Sequence, residues 1–147
     1  TRGGPYSRDQ CSPELVYQLL LYAMIDDLHD TDSGLITDHP VWPRSYSLAA
    51  WRMYLDGTPG LDASPYAVAS RATDLGRLPP AFILVGEVDL FLDESADYAE
   101  RLIQSGTRAE FKSYSSVFHG VEVAGAGTIV GMQMIDDFVA ALARAFA

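Results

Sequence analysis

The run LVYQLLLYAM, residues 15 to 24, is apolar at every position except Gln18, and the acidic stretch IDDLHDTDSG closes it. Surface helices repeat their apolar residues near every 3.6 positions and half-buried strands alternate. This run does neither. A continuous apolar segment is the pattern of a strand buried on both faces, the situation of parallel sheets covered by helices. A buried helical turn would look similar; short length and the flanking turn residues decide for a strand. A second such run, AFILVG at 81–86, follows Pro79 and Pro80, which keep any helix from entering it.

Between and after these runs the period changes. In YSLAAWRMYL, 46–55, Leu48, Trp51 and Leu55 fall at spacings of three and four, predicting an amphipathic helix on which Trp51 and Tyr54 pack. Gly57, Pro59 and Gly60 stop it. SPYAVASRATDLGRLPP, 64–80, is expected to be loop with room for one helical turn. Asp93, Glu94 and Ser95 open a helix through about Gln104, with acidic groups where they suit the dipole and Gly106 just past its end. AEFKSYS, 109–115, is a strand. Residues 128 to 146 place Met132, Ile135, Phe138 or Val139, and Leu142 at helical spacing, predicting the apolar face of a last helix. Strands alternating with helices need crossover connections. The expected class is therefore α/β, a mainly parallel sheet with helices on both faces.

At 147 residues the chain holds one domain or part of one. Hydrophobic residues at 48% and charged ones at 20% suit a packed core. Twenty acidic residues against ten basic give a formal charge of -10, which repels phosphate backbones and anionic bilayers, so neither nucleic acid nor a membrane is an expected partner. The single Cys11 has no partner for an internal disulfide and lies in a polar segment without a paired histidine, so a reactive thiol is not expected. No apolar run reaches membrane-spanning length, and TRGGPYSRDQ lacks the regions of a signal peptide. The expected location is cytoplasmic. A start at Thr1 without methionine, in a Gly, Pro and Arg stretch, suggests the middle of a longer protein.

Parallel sheets bind ligands beyond the carboxyl ends of their strands. Asp89 and His119 both stand there, each a few residues past a predicted strand. A carboxylate at that position can accept from one imidazole nitrogen, fix its tautomer and stabilise the imidazolium formed when the other takes a proton. Gly86 would let the chain turn at the strand end, and Gly120 would free the backbone beside the histidine. On spacing alone, a surface or structural role for such a pair is the commoner one.

The segment SPYAVASRATDLGRLPPAFILVGEVDLFLDESADYAERLIQSGTRAEFKSYSSVFHG resembles the carboxyl-terminal part of the hormone-sensitive-lipase-like branch of the α/β-hydrolase fold. The resemblance lies in Ser64 and Pro65, Leu78 to Pro80, Gly86, Glu87 and Asp89, Asp93 and Glu94, Tyr98, Ala99 and Leu102, then His119 and Gly120. Earlier, QLLLYAMIDD resembles the preceding strand of that family and AAWRMYL its next helix. The family usually has proline after the aspartate and before the histidine, where this chain has Leu90 and Phe118. By residue, the resemblance implies that Asp89 is the acid of a catalytic triad and His119 its base. It implies a serine carboxylic-ester hydrolase acting on small esters without a metal or organic cofactor. The family's G-x-S-x-G nucleophile turn and H-G-G-G-like stretch do not occur in these residues. Residues 1–147 are therefore expected to be the carboxyl-terminal portion of a single domain. Its missing half, or another chain, would lie along the exposed sheet edge at LVYQLLLYAM. The alternative is a truncated remnant without catalysis that serves only in association.

Leu90, Phe91 and Val121 flank the pair and are candidates for an apolar substrate wall, with core packing an equal alternative. DDLHDTDSGLITDH holds five aspartates with His29 and His39. Its spacing fits no calcium-loop or zinc pattern. A solvated acidic loop is expected there, and no metal site.

Overall fold

The computed structural model describes residues 4–9, 14–57, 59–60 and 62–147. Cys11 lies outside the described residues. The elements are α1 (Gly4–Asp9), β1 (Gln18–Leu21), α2 (Arg44–Leu55), β2 (Ala81–Gly86), α3 (Leu92–Gln104), β3 (Ala109–Tyr114), α4 (Val121–Ala124) and α5 (Ile129–Ala145). The sheet has the order β1-β2-β3 and both pairings are parallel, with Gln18 opposite Ala81 and Ala81 opposite Ala109.

Every residue of β2 is buried, as its unbroken apolar sequence requires. Alternation sends Ala81 and Ile83 to one face, against Tyr98, Ala99 and Leu102 of α3 with Leu75 and Leu78. Phe82 and Leu84 point to the other, against Val121, Met134 and Ala141. The helices thus cover both faces, and the α/β class follows from those two buried layers.

Local details depart from the pattern. The run 15–24 pairs only over Gln18–Leu21, and beyond Gln18 its strand residues are half-buried, since β1 is an edge of the sheet. The polar interruption has a use: Gln18 donates from its backbone to Pro80 O and from Nε2 to Pro79 O, both at 2.8 Å. In α2 only Ser47 and Trp51 are buried; Trp51 packs as expected, while Tyr54 is exposed. The stripe expected to face inward on α5 does not: Met132, Ile135, Val139 and Leu142 are exposed, and Gly131, Met134 and Ala141 are buried instead, with Phe138 packed beside them. Gly131 lets α5 lie close against residues 121–125, since a Cβ there would meet Gly125 O at 3.1 Å and Val121 O at 3.3 Å. Lys112 Nζ and Tyr114 Oη both hold Asp137, tying α5 to β3.

Candidate active site

Two loops carry the site, and the backbone stitches them together. Glu87 N donates to Tyr114 O at 2.8 Å and Val88 N to Val117 O at 3.0 Å. Glu87 reinforces the seam by accepting from Ser115 Oγ at 2.6 Å and Ser116 N at 3.0 Å, contacts that lower its carboxyl below the ordinary value. Gly86 is required by this approach: a Cβ there would meet Val117 O at 2.2 Å. Gly120 adopts φ +69°, the left-handed region that glycine enters at little cost.

The seam brings Asp89 and His119 together. Asp89 is completely enclosed; Oδ1 accepts the Phe91 N–H at 3.1 Å and Oδ2 lies 3.0 Å from His119 Nδ1. A carboxylate can only accept, so the ring proton belongs on Nδ1 and the Nε2 lone pair stays available. The His119 side chain keeps 14% of its surface. Four rings surround it: Tyr22 at 4.4 Å between centroids, Phe91 at 5.3 Å, Trp42 at 5.8 Å and His39 at 6.1 Å.

His39 is buried, which lowers its pKa. Its Nε2 lies 3.1 Å from His119 N, and its Nδ1 lies 3.0 Å from Trp42 N and 3.3 Å from Val41 N. A neutral imidazole accepts at one nitrogen only, so His39 serves either the His119 amide or the turn at Trp42. Neither His39, Trp42 nor Tyr22 was marked by spacing as a neighbour of the pair. Tyr22 could have been, because it ends an apolar strand as Asp89 follows one.

Leu90 and Phe91 are fully buried and Val121 nearly so; the first two pack with Val85, Tyr22, Met24 and Trp42, and Val121 packs under α5. The acidic loop is solvated in part: Asp30, Asp32 and Asp38 are exposed as expected, whereas other members are not. Asp27 and His29 are each 1% exposed. Asp27 is held by Arg71 at 2.7 Å and by Gly60 N at 2.5 Å, while Asp26 accepts from Leu28 N, His29 N and Ser70 Oγ. Among the described residues no three His, Cys, Asp or Glu side chains are grouped to hold a metal ion. Among them, too, no helix is long and apolar enough to cross a membrane. A groove lined by Val16, Tyr17, Arg108, Glu110 and Arg144 opens at the amino ends of the strands, away from the pair.

Three parallel strands, helices on both faces and an Asp–His pair past the strand ends define a part of a hydrolase-type α/β fold. A family model described as the alpha/beta hydrolase fold matches residues 6–123, and the chain belongs to that family, in its hormone-sensitive-lipase-like esterase branch. Carboxylesterase NlhH of Mycobacterium tuberculosis is 36% identical over 120 residues, 78% of this chain and 37% of that protein. The bacterial heroin esterase structure superposes with a TM-score of 0.89 at 32% identity, covering 96% of this chain and 46% of that one. Esterase LipW from Mycobacterium marinum gives 0.85 at 31% identity, over 94% of this chain and 43% of that one. The chain thus spans less than half the length of these relatives.

Proposed function

We propose that Asp89 and His119 are the acid and base of a serine carboxylic-ester hydrolase whose nucleophile lies outside residues 1–147. The 3.0 Å contact between His119 Nδ1 and the enclosed Asp89 Oδ2 carries this proposal. The serine oxygen would attack the ester carbonyl as His119 Nε2 takes its proton, and His119 would then give that proton to the departing alcohol oxygen. Water would release the acyl group by the same route, and Asp89 would stabilise the imidazolium without itself taking the proton. No cofactor enters these steps. Leu90, Phe91 and Val121 would supply an apolar wall that keeps water from the back of the pair. The esterases among the relatives support ester hydrolysis, and small esters as the substrate class belong to the proposal itself. A cytoplasmic location belongs to the same proposal.

In this proposal the chain is the carboxyl-terminal portion of one domain, and the preceding portion pairs with the outer edge of β1. That edge is unpaired among the described residues. The test is a panel of p-nitrophenyl esters on the full-length protein, with His119→Ala alongside. Hydrolysis lost with His119→Ala supports the assignment. A full-length protein that hydrolyses none of the esters and resists serine-directed phosphonates would leave only a role in association.

A further inference from the structure

We propose that Tyr22 and Glu122 form a positioning unit that holds the His119 ring in register with Asp89, a role that rests on the assignment of these two as base and acid. Tyr22 is the first residue past β1, and its N–H donates to Leu84 O at 2.7 Å, which locks it to β2. Its backbone stands at φ +38°, a region an aromatic residue avoids and which occurs where surroundings over-determine it, often at functional sites. Its ring makes the nearest of the four ring contacts with His119, at 4.4 Å.

The phenol then reaches across one hundred residues to donate to Glu122 Oε1 at 2.5 Å. Glu122 stands in the first turn of α4, which begins two residues after His119. The path from β2 through Tyr22, Glu122 and α4 therefore returns to His119. The ring cannot swing from Asp89 without losing either its packing on Tyr22 or a charge-assisted hydrogen bond. Glu122 Oε2 is buried with no hydrogen-bond partner among the described residues, so the phenol is the contact that retains this carboxylate. Burial and the carboxylate raise the Tyr22 pKa far above its ordinary value, which keeps it a donor. Packing alone would need neither the hydroxyl nor the strained backbone.

The test uses the full-length protein with Tyr22→Phe, Glu122→Ala and Glu122→Gln. Turnover of p-nitrophenyl acetate is expressed per active site titrated with a serine-directed phosphonate. Tyr22→Phe and Glu122→Ala are each expected to lower kcat about tenfold, the scale of a small misplacement of a reacting group, with KM unchanged within about twofold. The double variant should lose no more than the worse single one. Glu122→Gln still offers an amide oxygen to the phenol and should recover most of the loss. If the substitutions reduce only the number of titratable sites or the melting temperature, with wild-type kcat per site, the pair is merely structural and the proposal is overturned. Should Tyr22→Phe fail to fold, equal kcat per site for Glu122→Ala and Glu122→Gln overturns it. Hydrolysis that survives His119→Ala would instead defeat the assignment of the base, a distinguishable failure.

Discussion

Asp89 and Asp93 lie four positions apart at the entry to α3, yet their carboxylates face different partners. Asp89 spends one oxygen on the Phe91 N–H and the other on His119, inside the core. Asp93 accepts from Ser33 N at 2.8 Å and holds down the loop after β1. In the full-length protein Asp89→Asn should lower ester turnover on the order of 10⁴, the scale such a change carries in a serine triad, because the amide cannot stabilise the imidazolium. Asp93→Asn keeps an acceptor oxygen for Ser33. It should cost about 1 kcal/mol of stability and leave turnover within about threefold of wild type. Initial rates and denaturant titrations of both variants check the pair; the reverse ranking in folded proteins would place the acid at Asp93.

The first turn of α3 does more than begin a helix. Glu94, expected as a dipole-facing anion, is buried, and burial raises its pKa to about 8. Its Oε1 accepts from Ile25 N at 2.8 Å and Asp26 N at 3.3 Å, and Oε2 lies 3.6 Å from Nδ1 of His29, whose pKa burial lowers. The folded state thus keeps the Glu94 proton above the ordinary value of 4.5, so its contribution to stability is full below that value and is lost as pH rises towards about 8. His29 acts oppositely: its folded pKa lies below the ordinary 6.5, so stability falls as pH drops below that value. Between pH 6.5 and about 8 only the Glu94 trend remains. Glu94→Gln keeps the acceptor for Ile25 and Asp26. It should remove a loss on the order of 1 to 2 kcal/mol across that window, since one proton changes stability by at most about 1.4 kcal/mol per pH unit. Urea denaturation at several pH values reads this directly; parallel curves for variant and wild type would exclude it.

At the scale of the molecule, one flank is unfinished. Ile129, Met132, Ile135, Val139, Leu142 and Phe146 form a continuous exposed stripe along α5. On the sheet face that α5 covers, Leu19 and Leu21 of β1, with Tyr17 just before it, are only partly buried. Contiguous apolar surface of this kind marks an interface, and in the proposed function its occupant would be the rest of the domain, since relatives are more than twice as long. In the full-length protein Val139→Asp should therefore destabilise by about 2 kcal/mol, whereas an exposed site takes charge within about 0.5 kcal/mol. Residues 1–147 alone should self-associate in sedimentation velocity, and Val139→Asp should weaken that association. A monodisperse monomer that ignores the substitution would show the stripe needs no cover.

The order of the three strands and the three longer helices, the parallel sheet and the strand-end positions of Asp89 and His119 were legible in the sequence. Each depends on a local period or on turn residues beside an apolar run, and AFILVG forms a fully buried strand over the residues its pattern marked. The helices Gly4–Asp9 and Val121–Ala124 are too short to display a period and were missed, although Pro5 near the start of the first suits a helix opening. Tertiary structure alone decided which face of α5 turns inward: Gly131 is buried by close approach to Val121 and Gly125, where a Cβ would crowd their carbonyls, and not by hydrophobicity. It alone buried Asp27 and His29, since Arg71, 44 positions from Asp27, satisfies that carboxylate. The setting of His119 among Tyr22, His39, Trp42 and Glu122 was likewise decided in space. These contacts join residues up to one hundred positions apart, and a periodic pattern records only what neighbours within a turn or a strand have in common.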